Sequence, residues 1–246
     1  MTTGWRFDAQ ELFDDDYLFF YANILTDGVS DRQTDLVWRL LELEPGAQVL
    51  ELACGHGRIA NRLAARGASV TGLDVTARFL ERARVDAHAR GIEVDYVHGD
   101  MRELGWEDRF GAVTCMFTSF GYFDDDDNRR VLRGVRRALR PGGRLCLELN
   151  HLPWLLRNFR EREVIERDGQ WMIDRNRYDP VTGRTINDRT VIRDGRQRSF
   201  QFSVRMFTFP ELRDWLLAAG FREVDGFSGH GEELTLDAPR MVIVAN

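Results

Sequence analysis

The chain has 246 residues, 43% of them hydrophobic and 11% aromatic, and a formal net charge of −6. That is enough apolar material for one large domain with a full core, and the acidic balance argues against a nucleic-acid footprint, so a small-molecule partner is expected. All 34 basic residues are arginine; without lysine there is no internal Schiff base and no phosphate loop ending in G-K-[ST].

No apolar run reaches the ~18 residues of a membrane span, and "MTTGWRFDAQELFDDDYLFFYA" lacks the basic start and apolar segment of a secretory signal. A soluble, cytoplasmic protein without a membrane partner is expected. Residues 1–45 read as an N-terminal helical cap, with Tyr17, Phe19, Phe20 and Tyr21 as its aromatic run. Next, VLELAC at 49–54 is a buried-type strand, followed by a glycine turn and by Ile59, Ala60, Leu63 and Ala64 at helical spacing up to Gly67. ASVTGLD is a second strand, Thr76 caps a helix with Phe79, Leu80, Ala83 and Ala87 inward, and Gly91 closes it. EVDYVHGD is a third strand ending at Asp100, RFGAVTCMF a fourth ending near Phe117, and a helix over 126–139 leads through RPGG into a fifth strand, RLCLELN. From His151 the rhythm changes: residues 151–207 read as an inserted β-meander of three strands with turns at DPVTG and RDGRQ. The helix PELRDWLLAAG and the strands FREVDGF and RMVIVAN then return to the first pattern, so 46–150 and 208–246 form one core.

Alternation of this kind implies right-handed crossovers and a doubly wound α/β sheet of seven strands, with its ligand at the strands' carboxyl ends. Gly55, Gly57 and Ala60 satisfy the loose dinucleotide fingerprint G-x-G-x-x-G/A, with Asp74 at the next strand end. Glu51, just before the glycines, would repel a pyrophosphate but suits a ligand carrying an ammonium group. Asp100 supplies an acceptor for an adenine amino group or another donor. Cys54, Cys115 and Cys146 have no C-x-x-C spacing and read as reduced structural thiols, and no histidine has metal-ligand spacing. The acidic runs 14–16 and 124–127 read as a solvated face and a helix cap rather than a metal site.

E-x-A-C-G-x-G, an acid at the second strand end and G-D-M at the third together resemble the class I S-adenosylmethionine-dependent methyltransferases, whose fold is Rossmann-like. The resemblance extends to FGAVTCMFTSFGYF, LRPGGRLCLEL and the closing helix and strands. It implies S-adenosylmethionine as cofactor, with Gly55 and Gly57 letting the backbone, with Ala53, approach its methionine part and Glu51 holding the amino end. Asp74 would take the ribose hydroxyls, Val75 would pack on adenine, and Asp100 with the Met101 amide would read the adenine edge. The family more often has Asp where this chain has Glu51, so that residue departs from the pattern and also reads as a solvated or salt-bridged strand end. Arg58 either meets the cofactor carboxylate or starts the helix.

Methyl transfer from a sulfonium needs alignment and exclusion of water more than catalytic side chains, and aromatic faces suit the sulfonium charge. Tyr17, Tyr21 and Phe117 are expected to line the pocket, with Phe120, Tyr122, Asn150 and His151 toward the substrate. His151 follows the fifth strand and reads either as the base that accepts the substrate proton or as a hydrogen-bonded loop histidine. FTSFGYF stands where base-methylating relatives carry N/D-P-P-Y/F, which disfavours nucleic-acid substrates. With the insertion and SVRMFT, the chain resembles the branch acting on the nitrogen of small amines, amino sugars and antibiotics, a lincosamide amine among them. An O-methyltransferase is the alternative within the same chemistry; an NAD-dependent oxidoreductase and a non-catalytic adenosylmethionine sensor are alternatives outside it. The meander cannot bury both its faces, so it is expected to cover the pocket and to make a homo-oligomer contact.

Overall fold

A computed structural model describes residues 7–246; the first six residues of the expected cap lie outside the described part. The cap begins with α1 (Ala9–Leu12), α2 (Asp15–Tyr21) and α3 (Asp27–Leu40). Its aspartates are helix caps: Asp8 accepts the Gln10 and Glu11 amides, and Asp14 accepts the Tyr17 amide at 2.9 Å. The core follows as β1 (Gln48–Leu52), α4 (Ala60–Ala65), β2 (Ser69–Asp74), α5 (Ala77–Ala89), β3 (Asp95–His98), β4 (Phe110–Cys115), α6 (Asp125–Ala138) and β5 (Leu139–Asn150). Asp124 caps α6 by accepting the Asp127 amide at 2.8 Å. After α7 (Leu152–Arg157) come β6 (Arg162–Arg167), β7 (Gln170–Asp179), β8 (Arg184–Arg193) and β9 (Arg196–Arg205), then α8 (Phe209–Ala218), β10 (Val224–Ser228) and β11 (Arg240–Ala245).

The main sheet has seven strands in the order β10-β11-β5-β4-β1-β2-β3, all parallel except β11, which runs antiparallel to both neighbours. This is the Rossmann-like sheet expected from the alternation, and its order reverses between β1 and β4, where a crevice opens at the carboxyl ends. Successive residues of each strand face opposite layers. Leu50, Val113, Leu145 and Leu147 pack with α6 and α8, whereas Val49, Ala112 and Cys146 pack with α3, α4 and α5. The same alternation continues to the strand tops and puts Glu51 and Glu148 on the α3 side.

The insertion is a separate antiparallel sheet, β6-β7-β8-β9, with four strands where three were expected. The missed turn is Asp168-Gly169, whose φ values of 52° and 73° nearly repeat those of Asp194-Gly195, 53° and 72°. Both are two-residue Asp-Gly hairpins, a turn that needs positive φ at both positions. Arginines of this sheet grip the cap: Arg193 reaches Asp16 at 2.9 Å, and Arg198 reaches Asp16 at 3.1 Å and also pairs with Asp14. Beneath these pairs Phe20 packs on Met172 and Val191, so the cap lies between the insertion and the strand ends. No helix among the described residues is long and apolar enough to cross a membrane.

Candidate functional site

At the switch point the chain leaves β1 through Ala53, Gly55 and Gly57, with φ values of 51°, 56° and 78°. The two glycines serve different ends. A Cβ on Gly57 would collide with the Tyr96 hydroxyl and stand 2.9 Å from the Ala83 Cβ, whereas one on Gly55 would meet nothing closer than 3.8 Å. Gly57 therefore lets the turn pack onto α5 and β3, and it does not line the crevice as expected. Gly55 does line it, and its amide donates to Asp74 at 2.8 Å.

The crevice is a cavity of about 430 Å³ between the strand ends and the cap, within the range of small-molecule sites. Along its floor lie Glu51, Ala53, Gly55, Arg58, Asp74 and Val75, followed by Asp100, Met101 and Phe117. Glu51 is 3% exposed, and its Oε2 is buried without a hydrogen-bond partner. Burial pushes its carboxyl up to about 8, with Arg58 opposing and Asp74 adding to the shift. Neither a solvated nor a salt-bridged strand end describes it. Asp74 is also buried, and burial raises its pKa although the Gly55 and Thr76 amides donate to it.

Asp100 is bound up with its neighbour, since Arg102 Nε donates to both its oxygens at 3.1 Å and Arg102 Nη2 to one at 2.6 Å. Burial works against the charge, but these bonds hold the carboxyl below its usual range. Arg102 also reaches Asp127 at 2.9 Å and lies over the Phe123 ring. Arg58 sits in the turn before α4 rather than in the helix, and its Nη1 donates to Gln33 at 2.5 Å and to Ser30 at 3.2 Å.

The cap supplies the roof. Tyr17 lines the cavity and stacks on Tyr21 at 4.5 Å between centroids; Phe13 lies edge-on to Tyr17 and Tyr122. Burial pushes the Tyr17 and Tyr122 phenols well up, so both are neutral hydrogen-bond donors. Tyr21 itself stands behind this wall, its hydroxyl accepting from Arg189 at 3.2 Å while Arg189 grips Asp174 with two bonds of 2.7 Å.

Three expected substrate residues lie elsewhere. Phe120 is a core residue, 1% exposed and stacked on Phe207, because the turn after Phe117 sends it inward. Asn150 is held by the Arg240 guanidinium. His151 is 4% exposed, with Nδ1 at 2.9 Å from the Ala238 carbonyl, and is not in the cavity wall; the β10–β11 loop covers it. Residues the sequence reading passed over include Phe13, Phe79 and Ser119, which line the cavity, and His56, whose ring burial holds well below its ordinary range, at about 4. His56 stands inside the glycine motif itself and so had a local signal. Glu148 had the same signal as Glu51, a carboxylate near the end of an apolar strand, in RLCLELN as in VLELAC. The three cysteines are buried and unpaired.

Residues 49–143 match the family model described as a methyltransferase domain. Over 115 residues the chain is 36% identical to the ubiquinone biosynthesis O-methyltransferase of Xanthomonas axonopodis pv. citri, covering 45% of this chain and 47% of that protein. The chain thus spans about half the length of the curated relatives it matches. Among solved structures, the CcbJ methyltransferase of Streptomyces caelestis aligns with a TM-score of 0.81 at 22% identity, over 98% of this chain and 99% of that one. A sugar N-methyltransferase from Streptoalloteichus aligns with a TM-score of 0.72 at 18% identity, over 100% and 96% of the two chains. An S-adenosylmethionine-bound amino pentose methyltransferase from Micromonospora echinaspora gives 0.67 at 23% identity, over 100% and 99%. The fold is that of the class I S-adenosylmethionine-dependent methyltransferases, and the likeness to these structures runs through the insertion.

Proposed function

We propose that the chain is an S-adenosylmethionine-dependent methyltransferase that methylates the amine nitrogen of a small molecule. The observation that carries the cofactor reading is the unpartnered, buried Glu51 Oε2 in the cavity wall, an acceptor that an ammonium group would complete. Asp74 and Asp100 stand in the same wall, where a ribose and an adenine edge would meet them in the order the strands set. Glu51 would hold the amino end, Gly55 and Ala53 the methionine backbone, Asp74 the ribose, Val75 the adenine face, and Asp100 with the Met101 amide its edge. The matched methyltransferase domain spans all of these residues. A pyrophosphate would meet three carboxyl groups here, which disfavours a nicotinamide dinucleotide.

When bound, the cofactor would supply an electrophilic methyl group on a sulfonium: an acceptor's lone pair would bond to the methyl carbon, and the S–CH₃ electron pair would stay on sulfur as the neutral thioether. This chain's residues do the aligning. Tyr17 and Phe117 both line the cavity, one from the cap and one from the end of β4, where they would align donor and acceptor and the cap would limit access of water. An amine loses its proton to solvent before attack, so nitrogen transfer needs no base in the wall; the removal of His151 from the cavity supports an amine over a hydroxyl acceptor. One structural neighbour is named a sugar N-methyltransferase, which supports the same choice, and another is named an amino pentose methyltransferase of calicheamicin biosynthesis, which supports a role in antibiotic assembly.

The test has two arms. Calorimetry should find binding of adenosylhomocysteine and none of NADH; the reverse would end the methyltransferase reading. A panel of amines and phenols incubated with methyl-labelled cofactor should then yield a product heavier by one methyl among the amines. Labelling of phenols alone would replace nitrogen by oxygen, and no turnover with any acceptor would leave a sensor.

A further inference from the structure

Glu148, at the top of β5 on the α3 side, is 3% exposed and carries a charge that the cofactor reading leaves unused. Its carboxylate accepts the Phe117 amide at 2.8 Å, Gln33 Nε2 at 3.2 and 3.1 Å, and Arg240 Nε at 3.0 Å. Burial disfavours its charge, but Arg240, the Phe117 amide and Arg58 together hold the carboxyl below its ordinary range.

What these bonds hold is strained. Phe117 and Thr118 are consecutive non-glycine residues, both with φ 57°, a region that side chains adopt only where surrounding contacts over-determine it. Glu148 supplies contacts from both ends, since its side chain takes the Phe117 amide and its carbonyl takes the Thr118 amide at 2.9 Å. The Asn150 amide donates to the Thr118 hydroxyl at 3.0 Å. The Phe117 ring then lies with Arg58 Cζ at 5.8 Å and Arg240 Cζ at 5.4 Å from its centroid. Gln33, held by Glu148 through its amide nitrogen, accepts Arg58 through its oxygen.

We propose that Glu148 is a positioning residue for the cofactor cavity: it locks the Phe117–Thr118 turn in its left-handed form and, through Gln33, sets Arg58. The proposal rests on the methyltransferase reading of that cavity. All the side-chain neighbours that bond Glu148 are donors, so the site demands an acceptor-only group. Glu148→Gln keeps length and shape but turns an NH₂ group toward a donor, and the turn should open.

Two measurements test this. In the ligand-free protein, the Phe117 amide should exchange at least about tenfold faster in Glu148→Gln, with β1 amides within about twofold of wild type. In calorimetry, adenosylhomocysteine should bind the variant about tenfold more weakly, a loss that misplacement of a cavity wall can cause. Adding Thr118→Gly should bring the affinity back to within about threefold, because glycine adopts positive φ without strain. A role confined to stability would not show that recovery. Should Glu148→Gln not fold, Gln33→Leu cuts the link from Glu148 to Arg58 while leaving the Phe117 amide its acceptor, and should weaken binding by about threefold or more. Unchanged exchange at Phe117, wild-type affinity in Glu148→Gln, absence of rescue, or wild-type affinity in Gln33→Leu would each overturn the proposal. A wild-type protein that does not bind adenosylhomocysteine would overturn the methyltransferase reading, and this proposal with it.

Discussion

The Asp74 carboxylate at the end of β2 accepts the Gly55 amide at 2.8 Å, so the acid of this strand fastens the glycine turn that follows its neighbour β1. Removing it would both loosen that turn and take an acceptor from the wall that the proposed cofactor's ribose would face. Asp74→Ala should weaken adenosylhomocysteine by about 1.5 to 3 kcal/mol. Calorimetric titration checks this, and an affinity within about twofold of wild type would take Asp74 out of the site.

Glu51 links the site to pH. Burial raises its folded-state pKa to about 8, so its stabilising contribution is fully present below the unfolded pKa of about 4.3 and is lost as pH rises through about 8. A ligand ammonium favours the ionised form. Adenosylhomocysteine affinity should therefore increase from about pH 6 to 8 in wild type and stay flat in Glu51→Gln, while unfolding of the ligand-free variant should lose the decline in stability that wild type shows. The same pH slope in both proteins would mean that Glu51 does not meet the ammonium.

The two turn glycines should separate under mutation. Gly57→Ala combines positive φ with collision and should cost about 2 to 5 kcal/mol of stability. Gly55→Ala carries only the backbone strain, about 1 to 3 kcal/mol, but places a methyl group in the cavity wall. Urea unfolding and adenosylhomocysteine titration of both variants provide the check: stability should fall further at 57 and affinity further at 55. The opposite ranking would contradict the packing described for the turn.

His151 is buried against the Ala238 carbonyl and away from the cavity. With an amine acceptor, His151→Asn should lower kcat by less than about tenfold, short of the 10² to 10⁴ typical of a general base, and leave cofactor affinity unchanged. A loss beyond about a thousandfold would bring His151 to the reacting atoms and favour a hydroxyl acceptor.

The alternation of strands and helices, the glycine turn and the acids at three strand ends were all legible in the sequence, because each is a local pattern. A period of two marks a strand, closely spaced glycines mark a turn, and a strand end follows from its own residues. The same local logic covers the hairpin at Asp168-Gly169, whose signal was present and was read only in its second copy, at Asp194-Gly195. The sorting of aromatic residues was not local. Phe117 and Phe120 stand three positions apart in one run, yet one faces the cavity and the other the core. What separates them is a left-handed turn held by Glu148, 31 residues away in sequence and one strand over in the sheet. His151 likewise looked ligand-facing until the β10–β11 loop, 87 residues on, closed over it. Sequence by itself determined which elements form and which strand ends carry acid; only tertiary structure decided which side chains share the cavity. Cavity walls are made by hydrogen bonds and packing between segments far apart in the chain, and no window of neighbouring residues contains them.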